Sequence, residues 1–346
     1  MRRHLNTLYV TSEGAWLTKD GANVVVSREK TELGRVPIHT LGGIVCFGRV
    51  GMSPPLMGFC AEQGVCVSFL GENGRFLARV EGPVSGNVLL RREQYRRADD
   101  RDATTGLVRS IVTGKALNSR AVIRRALRDH GEAVAEAEAM ALETAEIRLT
   151  DIARRAERAG DADALRGLEG EAAQVYFAVF DHLIRAQKEE FRFAGRSRRP
   201  PLDAVNALLS FLYTLLVHDC RSAAESVGLD PAVGFLHRDR PGRPSLALDL
   251  MEELRPVLAD RIALTLINRR QLSASDFRLL ENGAVLLTDA GRKAVLVAYQ
   301  ERKRDELTHP FLGETVTLGL VPHVQAQLLA RHLRGDLDGY PPFVWR

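Results

Sequence analysis

Short runs of alternating apolar and polar residues fill the first ninety positions, a period of two that reads as half-buried strand. Residues 8–10 and 15–17 flank a turn at Gly14, and Lys19-Asp20-Gly21 leads into 23–26. An Asp-Gly pair supplies the positive φ that a tight hairpin needs. Further strands are expected at 35–39, 43–47, 65–70 and 75–81, the last two joined across Gly71-Glu72-Asn73-Gly74. Between them 53–63 makes one short helix, with Pro54 near its start and Gly64 after its end.

From about Asn87 the period lengthens. Residues 107–160 are rich in Ala, Glu, Arg and Leu and poor in Gly and Pro, which predicts long helices. Asn118 or Ser119 is a candidate cap for a stretch starting at Arg120. Helical patterns resume at 165–188, 201–226, 245–270, 273–280 and 321–334, and 284–288 reads as a short strand followed by Gly291. The expected fold class is α+β. A small, mostly antiparallel N-terminal β domain spans 1–90, a polar Arg/Asp-rich linker 91–106, and a large all-α domain 107–346.

Composition narrows the class. At 346 residues and 45% hydrophobic, the chain can bury two cores. No window approaches the ~18 consecutive apolar residues of a membrane span, and the opening MRRHLNTLYV has no long apolar segment of the kind a signal peptide carries. Cys46, Cys60, Cys66 and Cys220 form no CxxC pair and have no His at zinc spacing, so they read as buried thiols of a reducing compartment. The expected location is cytoplasmic. Net charge is only +4, yet the arginines cluster: Arg91, Arg92, Arg96, Arg97 and Arg101; Arg192, Arg196, Arg198 and Arg199; Arg238, Arg240 and Arg243. One such run is ordinarily solvated surface. Three of them point to a polyanionic partner, and Arg suits bidentate phosphate contact.

Three apolar segments carry isolated metal-ligand residues: LRGLEGEAAQVYF (165–177), VGFLH (233–237) and SLALDLMEELRP (245–256). A carboxylate in apolar sequence is costly to bury unless something positive neutralises it. One imidazole with two or more carboxylates suits Mg²⁺ or Mn²⁺ bound for phosphate chemistry. Glu169 and Glu171 compete for the first position. His237 stands twelve to sixteen residues from an acidic group, Asp249, Glu252 and Glu253, among which helical spacing does not choose. Tyr176 is expected to pack.

These segments, in this order and spacing, resemble the CRISPR-associated adaptation endonuclease and integrase family, CRISPR-associated protein 1. GLEG opening AAQVYF, GFLH followed by a basic turn, and LALDLMEELRP carry the likeness, together with PPLDAVNALLSFLYTLL (200–216), GKALNSR (114–120) with Lys115 and Asn118, and the ending YPPFVWR, which is similar to the type I-C variant. The resemblance implies that Glu169, His237 and Glu252 bind a divalent ion, Mg²⁺ or Mn²⁺, with Asp249 supporting the catalytic group. It leaves Glu171 and Glu253 outside. It implies double-stranded DNA as substrate, both spacer precursor and CRISPR repeat, attacked at a phosphodiester by a 3′-hydroxyl or by water. It also implies a homodimer, a hetero-hexamer with the small adaptation partner, and in type I-C systems an iron–sulfur nuclease. Activity should fall on acidification as the imidazole protonates and leaves the metal. Two rivals stand beside this reading: a non-enzymatic DNA-binding protein whose acids are structural, and a metal hydrolase of small phosphoesters.

Overall fold

The computed structural model describes residues 6–72, 74–82, 88–130 and 135–345. Its N-terminal strands are β1 (Asn6–Val10), β2 (Trp16–Asp20), β3 (Asn23–Arg28), β4 (Thr31–Pro37), β5 (Leu41–Phe47), β6 (Gly51–Met52), β7 (Cys66–Leu70) and β8 (Phe76–Val80), with helix α1 (Pro54–Glu62) after β6. They form two four-stranded sheets, ordered β1-β5-β7-β8 and β4-β3-β2-β6. The β2–β3 hairpin turns at Gly21, whose φ of 57° is the conformation expected of the Asp-Gly pair. Asn73 and Asn87, which marked a turn and the change of pattern, lie outside the described residues.

The antiparallel expectation needs correction. β1 and β7 both pair parallel to β5, and β6 parallel to β2, whereas β2–β3, β3–β4 and β7–β8 are antiparallel. The reason lies in the apolar run of β5. Ile44 and Cys46 enter a core with Leu17, Val24, Leu56 and Val67, while Val45 and Phe47 point the other way into the core of the helices. A strand covered on both faces loses its polar positions, the usual mark of a parallel neighbourhood.

The helical part comprises α2 (Val88–Asp99), α3 (Arg101–His130), α4 (Glu136–Arg158), α5 (Ala162–Ala178), α6 (Ala204–Ser226), α7 (Ser245–Glu252), α8 (Arg261–Asn268), α9 (Asp289–Lys303) and α10 (Val321–Leu333). Two small antiparallel hairpins are set among them, β9 (Phe277–Leu279) with β10 (Val285–Leu287) and β11 (Glu306–Thr308) with β12 (Thr315–Thr317). α6 is the central helix: Leu208, Leu212, Leu215 and Leu216 are fully buried, each worth about 2 kcal/mol of removed apolar surface.

Several local readings change. Residues 91–106 are helical rather than a loop. Leu90 and Gln94, four apart, bury one face of α2, and Gln94 Nε2 donates to the carbonyls of Asp230 and Val233, both at 2.8 Å. Asp100 breaks α2 from α3 by accepting the N–H groups of Asp102 and Ala103. Asn118 and Ser119 cap nothing, because α3 runs straight through them. The 245–270 helix is interrupted after α7, and Arg255–Asp260 forms a π-helical turn around Pro256, which has no N–H to donate. Within 273–280 a capped turn (Ala274–Asp276) leads into β9. α9 was missed in sequence because Gly291 looks like a breaker. It sits in the first turn, where an added Cβ would come within 2.6 Å of the Asp276 carbonyl oxygen.

Candidate functional site

Three elements converge below α3. α5 begins at Asp161, whose side chain caps the N–H groups of Asp163 and Ala164, and carries Glu169 two turns in rather than in the first turn. The bend at 233–238 carries His237. α7 carries Asp249 and ends at Glu252.

Asp249 organises the bend. Its fully buried carboxylate accepts the backbone N–H groups of Phe235 (2.6 Å), Leu236 (3.0 Å) and His237 (2.9 Å), and stands 2.7 Å from His237 Nδ1. A carboxylate can only accept, so Nδ1 carries a proton, and this contact turns Nε2 toward Glu252 Oε1, 3.8 Å away. Gly234 makes the close fit possible, since a Cβ there would lie 2.9 Å from Asp249 Oδ2 and 2.8 Å from Ser245. Arg166 holds the same bend from its carbonyl side, donating to Leu236 at 2.7 Å and Phe235 at 3.0 Å.

Glu252 is 1% exposed and surrounded by cations. Arg255 Nη2 lies 3.1 Å from Oε1, and Lys115 Nζ lies 2.6 Å from Oε2 while also pairing with Glu169. Burial alone would raise the Glu252 pKa, but Arg255, Lys115 and His237 together hold it well below the ordinary carboxylate range. Lys115 thus pairs with both Glu169 and Glu252, Arg255 with Glu252, and Asp249 with the His237 ring.

Of the alternatives that spacing left open, Glu171 turns away to Arg155 (3.1 Å) and Arg148 (3.9 Å). Glu253 points opposite to Glu252, into the C-terminal segment. Tyr176 packs, edge-on to Phe177 and Phe180. Lys115 and Arg255 were not assigned roles from sequence, although a lone Lys in the apolar stretch IVTGKALNS and an Arg three residues after Glu252 were visible signals.

The arginine runs divide. Arg192, Arg198, Arg199, Arg238 and Arg240 are exposed and Arg243 half-buried. Arg238 pairs with Asp163 at 2.7 Å and joins Tyr95, Asp99, Arg166 and His237 around a cleft of about 330 Å³. Arg196 departs from its group. It donates to Asn206 Oδ1 at 2.6 Å and lies over the rings of Phe177 and Tyr213, a packing role that burial between aromatic faces imposes.

Among the described residues no helix is long and apolar enough to cross a membrane.

The family model for CRISPR associated protein Cas1 matches residues 8–301. A protein of Rhodospirillum rubrum named CRISPR-associated endonuclease Cas1 2 is 62% identical over the full length of both chains. CRISPR-associated endonuclease Cas1 1 of Chlorobaculum tepidum is 56% identical, again over both full lengths. The fold is shared with a CAS1 protein from Thermotoga maritima (TM-score 0.80, 24% identity, 96% of this chain and 97% of that one) and with a casposase bound to integration product (0.82, 23%, 99% and 95%). A β-strand domain followed by a helical domain, a family match across most of the sequence, and full-length relatives named endonucleases lead to one conclusion: the chain belongs to the CRISPR-associated protein Cas1 family.

Proposed function

We propose that this protein is a divalent-metal-dependent DNA endonuclease and integrase of CRISPR adaptation, with Glu169, His237 and Glu252 as the metal-binding group and Asp249 as its positioning carboxylate. The observation that supports the assignment of residues is their convergence from separate segments: Glu169 and Glu252 share the Lys115 ammonium, His237 Nε2 turns toward Glu252, and Asp249 holds the His237 ring. Among the described residues no three His, Cys, Asp or Glu side chains are gathered closely enough to grip an ion as they stand. Lys115 occupies the space between Glu169 and Glu252, a positive charge where the reading puts one. The donor set, two carboxylates and an imidazole, fits Mg²⁺ or Mn²⁺.

A bound divalent ion polarises a non-bridging phosphate oxygen and offsets charge that builds up in an in-line displacement. The protein's own groups do the rest. Asp249 accepts from Nδ1, which fixes the ring and leaves Nε2 as the nitrogen that would face the ion. Arg255, stacked on Tyr213 with its guanidinium carbon 4.9 Å from the ring centroid, keeps Glu252 ionised and in place. The cleft beside His237, with Arg238 on its wall, admits a DNA backbone, and the exposed Arg192, Arg198, Arg199 and Arg240 would add salt-sensitive, sequence-tolerant phosphate contacts.

The nucleophile would be the 3′-hydroxyl of a captured fragment attacking a CRISPR repeat; water in its place makes the site a nuclease. We further propose a homodimer, a hetero-hexamer with the small adaptation partner, a type I-C setting and a cytoplasmic location. Neighbours of the same fold, described as Cas6-RT-Cas1–Cas2 complexes, motivate the partner. A 36% identical Cas4/Cas1 fusion of Geobacter sulfurreducens, 60% of which this chain covers, motivates the iron–sulfur nuclease. The non-enzymatic alternative is not favoured, since the full-length relatives carry endonuclease names.

The test is to incubate the protein and its small partner with Mn²⁺, a labelled duplex and a repeat-bearing plasmid. Covalent transfer of label should occur, and should vanish in His237→Ala while duplex binding persists. Undiminished transfer in that variant would remove His237 from the chemistry.

A further inference from the structure

We infer that Lys115 is a built-in stand-in for the divalent ion: its ammonium holds Glu169 and Glu252 together until the metal arrives, and must leave both when it binds. This rests on the metal-site reading above and says how that site is loaded.

Lys115 rises from the middle of α3 and is only 8% exposed, and its Nζ is the group that Glu169 and Glu252 share. α3 lies hard against the end of α7 there, because Gly114 leaves room: a Cβ on it would be 3.4 Å from Glu253 Cγ and 3.0 Å from Pro342. The two basic residues at Glu252 are not equivalent. Arg255 is wedged over Tyr213 and holds Oε1 at 3.1 Å, a flat, delocalised group fixed by stacking. Lys115 is a compact point charge on an unbranched four-carbon stem that divides itself between two acids, donating to Glu169 Oε1 and lying 2.6 Å from Glu252 Oε2. Arg255 is built to stay and Lys115 to be exchanged.

A divalent ion on the same two carboxylates would sit at ion-pair distance from Nζ. Like charges that close, beside a Glu252 only 1% exposed, repel each other and disfavour sharing the two acids. The ammonium therefore opposes the metal while keeping the buried acids compensated in its absence. Removing it should weaken the protein without metal and strengthen its grip on metal.

The full-length protein, Lys115→Met and Lys115→Gln are stripped of metal and titrated with Mn²⁺ by calorimetry, with thermal melts run alongside. Both variants should melt lower than wild type without Mn²⁺, regain wild-type stability with it, and bind it about ten-fold more tightly, the repulsive charge being gone. Wild-type binding of Mn²⁺ with unchanged or weaker binding in both variants would overturn the role of Lys115 and leave the metal site standing. Binding that survives Glu252→Gln, or its absence from wild type and variants alike, would bring down the metal reading and this inference together. Should either variant fail to fold without metal, recovery on refolding with Mn²⁺ supports the exchange, and failure with Mn²⁺ present counts against it.

Discussion

Glu252 and Glu253 are neighbours in sequence, equally buried, and opposite in every physical respect. Glu252 faces Lys115, Arg255 and His237, and these hold it ionised against the cost of burial. Glu253 faces the C-terminal segment. Burial pushes its pKa up to about 8, and three donors only partly counter that: Phe343 N–H (2.6 Å), Tyr340 hydroxyl (2.7 Å) and Gln325 Nε2 (3.0 Å). Asn118 completes this second region by donating to the Glu253 and Phe343 carbonyls and accepting the Trp345 N–H at 2.7 Å. One carboxylate is held charged by the cations around it, and the other, whose pKa burial raises, ties down a tail. The difference teaches that a buried acid's role is set by the charges it faces, not by its depth.

The largest test of that contrast is the isosteric pair Glu252→Gln and Glu253→Gln, compared by urea denaturation and strand transfer at pH 7. Glu252→Gln leaves Lys115 and Arg255 short of a counter-charge, which should cost about 3 kcal/mol or more and abolish transfer. Glu253→Gln replaces an already neutral group and should cost under about 1 kcal/mol. Equal effects from the two would mean that both carboxylates are charged, and the contrast would be lost.

Next in size is Glu253→Ala, which strands the Tyr340 hydroxyl, the Gln325 amide and the Phe343 N–H. A loss of about 2–3 kcal/mol is expected, with about 1 kcal/mol for Tyr340→Phe. Trp345, held over Arg261 and Arg302, reports release of the tail by fluorescence. An unchanged Trp345 signal in Glu253→Ala would mean the tail is anchored elsewhere. Asp249→Asn comes third. An amide cannot serve three backbone N–H groups and the imidazole N–H as a carboxylate does, so transfer should fall about 10–100-fold. Wild-type transfer in that variant would show that His237 needs no orienting partner.

The sequence revealed the two regions unequally. Glu169, His237, Asp249 and Glu252 stand out as candidates because each is an ionisable group interrupting an apolar pattern, and pattern is local, but it was the family resemblance that set them apart from Glu171 and Glu253. Their counter-charges were harder: Lys115 lies 54 residues before Glu169 and 137 before Glu252, separations that no periodicity spans. The tail clamp was hidden for the same reason, since Asn118 reaches Phe343 across 225 residues. In the fold, β2–β3 could be read from its turn, whereas the parallel pairing of β5 depends on a helical core that covers its far face. Residues 91–106 looked like a linker because charge masked the Leu90–Gln94 stripe.

The last test is also the sharpest, because the two glutamates should slope in opposite directions with pH. Glu252 has a lowered native pKa, so its contribution is present above about 4.5 and is lost as the pH falls below that. Glu253 is raised from 4.5 to about 8. Between those values the native protein keeps a proton that the unfolded chain has released, so stability must decline as the pH rises through that window. A single group allows at most about 1.4 kcal/mol per pH unit. Other groups titrate too, so the quantity to measure is the difference between the wild-type and Glu253→Gln stability curves from pH 5 to 8. It should fall steadily with pH, as wild type loses stability that the amide variant keeps. A flat difference would mean that Glu253 is ionised throughout, and that Tyr340, Gln325 and Phe343 hold a charge rather than a neutral acid.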